Sequence, residues 1–297
     1  MFRMKYQIFL MLFVVGIYNA QVVTKADDNK VNDTLVVVSG EEDSLEIFKP
    51  TIYDYKIRTQ FSDYKIFDTD FTINKSYEFT QFNNGDNFGK IQFANIGSGF
   101  QDLIFNTNPS QNLSVLPTNK SHFIINADDV RYYDVKTPTT SFVYHNAMRN
   151  SAALQSTYTH NIGKTFTLAI EHMGFRSQGL YRNSLAATNN VIFSGHFKSR
   201  NNKYEAFAHY LHQNVNNQEN GGVADMDIFL SGDSRFNNRA NIETNLDGVN
   251  SRLYYRRYYF SHVFAPFDVT RFPFKVRHTI SHQGNKYFLS QDNPQAY

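Results

Sequence analysis

The chain has no cysteine, no tryptophan and only 7 prolines in 297 residues. Without cysteine there is no disulfide framework, no thiolate zinc site and no cysteine nucleophile. It also lacks an excess of either charge: 29 Lys+Arg stand against 27 Asp+Glu. Two of the positives, Arg3 and Lys5, sit in the first twenty residues, which hold no acid. The remainder is therefore neutral. A neutral chain argues against a nucleic-acid partner, which needs a net basic face, and against an acidic disordered tail. No apolar run reaches the roughly 20 residues that a transmembrane helix needs.

What the chain does have is aromatic and polar turn residues. The 28 Phe, 19 Tyr and 32 Asn read as β-strands joined by polar turns. Arg3 and Lys5 precede an apolar stretch, Ile8 to Tyr18, followed by Asn19-Ala20-Gln21. This order predicts a signal peptide over 1–20, cut after Ala20. The stretch is too short to anchor the chain in a bilayer. No Cys follows it, which excludes a lipoprotein signal. The expected mature chain is exported, to be soluble or to form an outer-membrane barrel.

Residues 21–50 are acidic and polar and read as a flexible lead-in. Residues 51–140 hold short β-like runs: 53–59, 65–73, 77–82, 90–94, 103–105 and 122–125. From about 141 the runs lengthen: 141–148, 152–161, 165–175, 191–199, 204–214, 252–264 and 274–291. Soluble strands average about 5–6 residues, whereas a bilayer-crossing strand needs about 9–11. The connections alternate between tight (162–164, 200–203) and long (176–190, 215–251). That alternation is the signature of an outer-membrane barrel. The expected fold class is therefore all-β: an antiparallel transmembrane β-barrel, partial in this chain, over 141–297, after a β-rich N-terminal region over 51–140.

Period two sorts the side chains of each strand onto two faces. Phe166, Leu168 and Ile170 fall opposite Thr165, Thr167 and Glu171. Val191, Phe193 and Phe197 fall opposite Ser194, His196 and Lys198. Gln155, Thr157 and Thr159 share a face opposite Leu154 and Tyr158. The polar sets, with Arg252 and Arg256, are the expected pore lining. Arg257 then falls with Leu253, Tyr255 and Tyr259 on the lipid side, where a midplane Arg costs about 2–4 kcal/mol. It must lie near a rim, or a bulge must shift the register. Tyr254-Tyr255 and Tyr258-Tyr259 suit an aromatic girdle.

Several blocks carry a family resemblance. They are Lys49-Pro50-Thr51, Asn87 through Asp102 with its Gly97-Ser98-Gly99, and Tyr133-Asp134 with Thr137-Pro138. Tyr204 through His209, Gly232-Asp233-Ser234-Arg235 and Arg256 through His262 complete the set. Together they resemble the putative porins of Bacteroidetes, over nearly the whole mature chain. The resemblance implies an outer-membrane barrel and a channel-like role, and says little about cargo. Members of that family are longer, and Pro294 near the end does not suit a closing strand. The sequence is therefore expected to be an N-terminal fragment. Asp33-Thr34-Leu35 and Asp43-Ser44-Leu45 are similar to O-glycosylation acceptor triplets of the same bacteria.

Catalytic and metal chemistry finds little support. His209 and His212 face opposite sides of a strand, and His278 and His282 share a face but sit about 13 Å apart. A shared metal needs ligands about 2 Å from one ion. Gly232-Asp233-Ser234 lacks the nucleophile-elbow pattern. Gly97-Ser98-Gly99 lacks the following helix of a phosphate loop. Asp225 and Asp227 lack the Gly and Glu of a calcium loop. No enzyme activity, no metal and no cofactor are expected. The expected partners are outer-membrane lipid and small solutes, in passive diffusion. The alternative is a secreted soluble β-protein, such as a glycan-binding module whose tyrosines stack on sugars.

Overall fold

The computed structural model describes residues 50–67, 90–92, 95, 97–104, 120, 123–147, 151–267 and 272–292. The expected signal peptide, nearly all of the lead-in, the run 77–82 and both acceptor triplets lie outside these residues.

Five short strands come first: β1 (Lys56–Arg58), β2 (Lys65–Ile66), β3 (Lys90–Gln92), β4 (Phe100–Asp102) and β5 (Tyr132–Asp134). The first three residues of the run 53–59 do not continue a strand. Ile52–Asp54 is a 3-10 turn, because Asp54 reaches back to the Thr51 N–H at 2.8 Å and closes a capping box. β1 lies between β2 and β5, and β3 pairs with β4.

Seven long strands follow: β6 (Thr139–Ala147), β7 (Ser151–Ile162), β8 (Phe166–Ser177), β9 (Ala186–Lys198), β10 (Tyr204–Gln218), β11 (Val249–Phe264) and β12 (Val276–Gln291). Each pairs antiparallel with the next in sequence, giving one open sheet in the order β12-β11-β10-β9-β8-β7-β6. β9 starts at Ala186, earlier than the expected Val191, because Asn189 and Asn190 pair with Asn214 and Gln213 of β10 instead of turning. The turns after β7 and β9 are tight and use left-handed residues, Gly163 (φ 66°) and Asn202 (φ 55°). The connections 178–185 and 219–248 are long and lie at the other end; the second holds a short helix, α1 (Met226–Leu230).

The pleat gives the sheet two unlike faces. On the outer face, Tyr158, Ile170, Phe193, Tyr210, Tyr258 and His282 stand side by side across six strands. Neighbouring rings touch, with Phe193–Tyr210 and Tyr210–Tyr258 centroids at 6.2 and 4.9 Å. The next row towards the tight turns is His160, Leu168, Gly195, Ala208, Phe260 and Ile280. Most of these large apolar side chains are exposed. An apolar face of this extent on a folded chain marks an interaction surface.

The other face is covered by the N-terminal residues. Tyr132 and Val130 pack with Ile192, Phe207, Leu211 and Tyr255. Phe100 and Phe123 pack with Val215 and Leu253. Tyr133 and Val135 pack with Ala169. Full burial of each such side chain stabilises by about 1.5–3 kcal/mol. The described part of 50–135 is thus a layer seated on one face of the sheet.

Candidate functional site

The covered face is polar as well as apolar, and the layer is tied to it by side chains that reach backbone. Gln213 is 2% exposed. Its Nε2 donates to Phe123 O at 2.8 Å, and its Oε1 accepts from Ile125 N at 3.0 Å. Arg257 donates to Ile125 O. Both backbone polar groups of one loop residue, Ile125, are therefore held as they would be in a ladder. Gln60 is equally buried: its amide donates to Ser261 Oγ at 2.6 Å and accepts from the Tyr259 hydroxyl. Asn217 Nδ2 donates to Gly97 O at 3.0 Å. Gly97 has φ 85°, and a Cβ there would lie 2.0 Å from the Phe175 ring, so only glycine fits.

Charged pairs add to these. Arg58 Nη1 lies 3.1 Å from Glu205 Oε1, which also meets His196 Nε2 at 2.9 Å. Lys120 donates to Ser251 O at 3.2 Å and to its hydroxyl, and that hydroxyl meets Glu219. Burial pushes the Lys120 ammonium down to about 8, with Glu219 opposing the shift. Arg131 pairs with Glu171. Burial opposes the charge on Arg131, but Glu171 and Tyr133 beside it more than offset this and raise its pKa.

Towards β6 the layer leaves a gap. A cavity of about 410 Å³ opens there, lined by Arg131, Ser141, Gln155, Thr157, Glu171 and Asn190, with Phe67 and Ile192 beside them. Three expected lining residues, Gln155, Thr157 and Glu171, meet in this cavity. Thr159, Thr167, Ser194 and His196 share its face but lie buried. Thr159 donates to Leu168 O at 3.1 Å, Thr167 to Asn161 Oδ1 at 2.6 Å, and Ser194 to Arg131 O at 3.1 Å. Thr165 sits in the turn before β8, and Lys198 is the exposed last residue of β9.

Arg252 and Arg256 correct the expectation. Both are exposed on the outer face with Tyr254, Tyr258 and Phe260, whereas Arg257 is 3% exposed on the covered face. Period two had placed Arg257 correctly with Leu253, Tyr255 and Tyr259; the side that this set faces is the reverse of the one expected. No bulge intervenes, since β10 and β11 pair without a break from Tyr204–Phe264 to Gln218–Asn250. The physical reason is that Arg257 has a backbone acceptor in the layer, which the strand pattern does not reveal.

The sequence reading also missed Arg131, Lys120, Gln60 and Gln213. A signal existed for Gln213, which alternates with Leu211 and Val215 on β10. The loop residues carry no such period. His209 and His212 face opposite sides as expected, with His209 Nδ1 at 2.9 Å from the Tyr132 hydroxyl. Asp225 caps α1, accepting from Asp227 N and Ile228 N at 2.8 and 3.0 Å. Gly232 leads into an exposed Asp233–Arg235 pair at 2.6 Å.

A sheet of long strands with exposed apolar rows on one face and a covered, partly polar opposite face meets a decisive comparison. The family model described as "Putative porin" matches residues 51–297. The chain belongs to the putative porin family. No curated protein and no solved structure matches it. Porin membership accounts for the all-β antiparallel build and indicates a channel protein of the outer membrane. Among the described residues of this porin, no helix is long and apolar enough to cross a membrane; the strands are the elements of sufficient length.

Proposed function

We propose that β6–β12 form part of the wall of an outer-membrane β-barrel that passes small solutes by passive diffusion, with the N-terminal layer narrowing its lumen. One observation carries this reading: towards the tight turns the outer face carries exposed apolar rows, while the opposite face, mixed polar and apolar, is covered over β7–β11 by the chain's own residues. Bilayer lipid takes the first face and a wet lumen the second. The solute route runs through the cavity beside the Arg131–Glu171 pair. A soluble glycan-binding module would not leave its apolar ladder rows uncovered. Among the described residues β6 and β12 are the sheet edges, and in lipid their outer backbone groups would have to be paired, because unpaired ones cost several kcal/mol each. Export through the signal peptide over 1–20 belongs to the same proposal.

The test is single-channel recording on protein purified from outer-membrane fractions. Stepwise conductance is expected. Glu171→Gln should shift ion preference towards anions, because it leaves Arg131 unpaired beside the route. Arg252→Gln and Arg256→Gln should leave preference unchanged. A chain that stays soluble without detergent and gives no conductance would overturn the proposal.

A further inference from the structure

The outer face changes character half-way along the β11–β12 hairpin. Towards the turns it presents Phe264, His262, Phe260 and Tyr258. Just beyond stand Arg256 and Lys286, both exposed, and among the described residues neither forms an ion pair. A polar charge on a lipid-facing strand is costly unless something there compensates it.

The local packing leaves room for such a partner. Arg256 sits opposite Gly284, and Tyr254 opposite Lys286. A Cβ at Gly284 would meet nothing within 4 Å. The missing side chain opens a cavity of about 470 Å³, walled by Tyr254, Tyr258 and Phe288, with Arg256 and Lys286 on its margin. A third cation, Arg252, bonds the Tyr254 hydroxyl at 3.1 Å and so lies at the same wall.

Height places the cavity at a leaflet boundary. Arg256 is eight residues from the Phe264 end of β11. At about 3.3 Å per residue and a tilt near 40°, that is about 20 Å of height, against an apolar band about 25 Å tall. The cavity lies on the side of the apolar rows that leads to the long loop 219–248, which in outer-membrane barrels is the external side. Two cations, an open groove and aromatic walls thus meet at headgroup level.

We infer that this groove is a seat for the phosphate-bearing headgroup of an outer-leaflet glycolipid; the inference rests on the membrane-barrel reading above. Arg256 and Lys286 pair with the phosphates, as guanidinium and ammonium groups do. The aromatic walls take the sugar faces. Gly284 keeps the groove open, so the site needs its shape as well as its charge.

The experiment is a native mass-spectrometry titration of the detergent-purified full chain with diphosphorylated lipid A, run beside phosphatidylcholine and with inorganic phosphate as competitor. The wild type should retain lipid A over phosphatidylcholine. The double variant Arg256→Gln/Lys286→Gln should bind it about thirtyfold more weakly, at about fivefold per basic contact. Gly284→Leu, which keeps both charges and fills the groove, should weaken binding roughly tenfold. Lys203→Gln, in the tight turn at the opposite end, should change nothing. Equal binding by all variants overturns the inference. So does a loss on removing charge with none on filling the groove, which is diffuse attraction, and so does displacement by millimolar inorganic phosphate. Heat-shifted mobility on the same samples separates the two readings. A normal shift with unselective lipid A binding removes the seat alone. A wild type without any shift, soluble without detergent, removes the barrel and the seat together.

Discussion

The layer and the sheet differ in how their backbones are satisfied. Strands β1–β5 have 2–3 residues each, whereas β6–β12 have 9–16. In the sheet, every strand finds its partner in the next stretch of sequence, and side chains are left free to serve either face. In the layer, short ladders satisfy little, and the loops between them borrow partners from the sheet: Gln213 and Arg257 for Ile125, Asn217 for Gly97, Asn161 for Val135. The sheet is therefore a ladder structure that stands by pairing. The layer is a docked structure whose hold on the sheet is concentrated in a few buried side chains.

Single substitutions can break that contrast. The largest effect is expected at Gln213→Leu, which removes the side-chain amide that bonds both Phe123 O and Ile125 N. At about 1–3 kcal/mol for each buried group that loses its bond, the two losses cost about 2–6 kcal/mol together. Hydrogen exchange should show that loss as faster opening of residues 123–135, while the amides of β7–β9 keep their protection. If both regions loosen equally, layer and sheet are one cooperative unit.

A neighbouring pair sharpens the comparison further. Arg257→Leu removes the charged donor to Ile125 O and should cost about 1.5–3 kcal/mol of layer protection. Arg256→Leu, one residue away on the outer face, should change it by less than about 0.5 kcal/mol. Equal effects in a protease-protection assay of the layer would contradict the assignment of the two faces.

The smallest expected effect is a pH slope. Lys120 titrates near 8 when docked, below its ordinary 10.5. Between those values the undocked state binds more protons, so docking strengthens as pH rises from about 8 towards 10.5. Below 8 this group contributes no slope. Lys120→Met should flatten the rise in layer protection measured between pH 7.5 and 9.5, and an unchanged slope would assign it to another group.

The sheet was legible because period two repeats over many residues. All seven long runs are strands, and the alternation of Gln155, Thr157 and Thr159 against Leu154 and Tyr158 is the alternation of the two faces. The early start of β9 was hidden because Asn189-Asn190 reads as a turn until β10 supplies partners. Period two also gives parity without direction. It grouped Arg257 with Leu253 and Tyr259 but could not say which group would be covered. That depends on Ile125, more than a hundred residues earlier, and no local pattern encodes it. The layer was hardest to read for the same reason: Tyr132, Lys120 and Gln60 act through contacts 77 to 201 residues away in sequence.

The bond from Gln60 to Ser261 also sets a clock. Strand-to-strand pairing in β6–β12 links sequence neighbours and forms fast, whereas contacts between distant residues close slowly. Gln60 emerges from synthesis early, yet its partner Ser261 is placed only when β11 has joined the sheet. On that ground the first part of the layer in sequence is expected to be the last seated, on a sheet whose inner face is until then uncovered. Pulse-labelled exchange during refolding should find β7–β10 protected before residues 123–135; the opposite order would mean that the layer is a template on which the strands assemble.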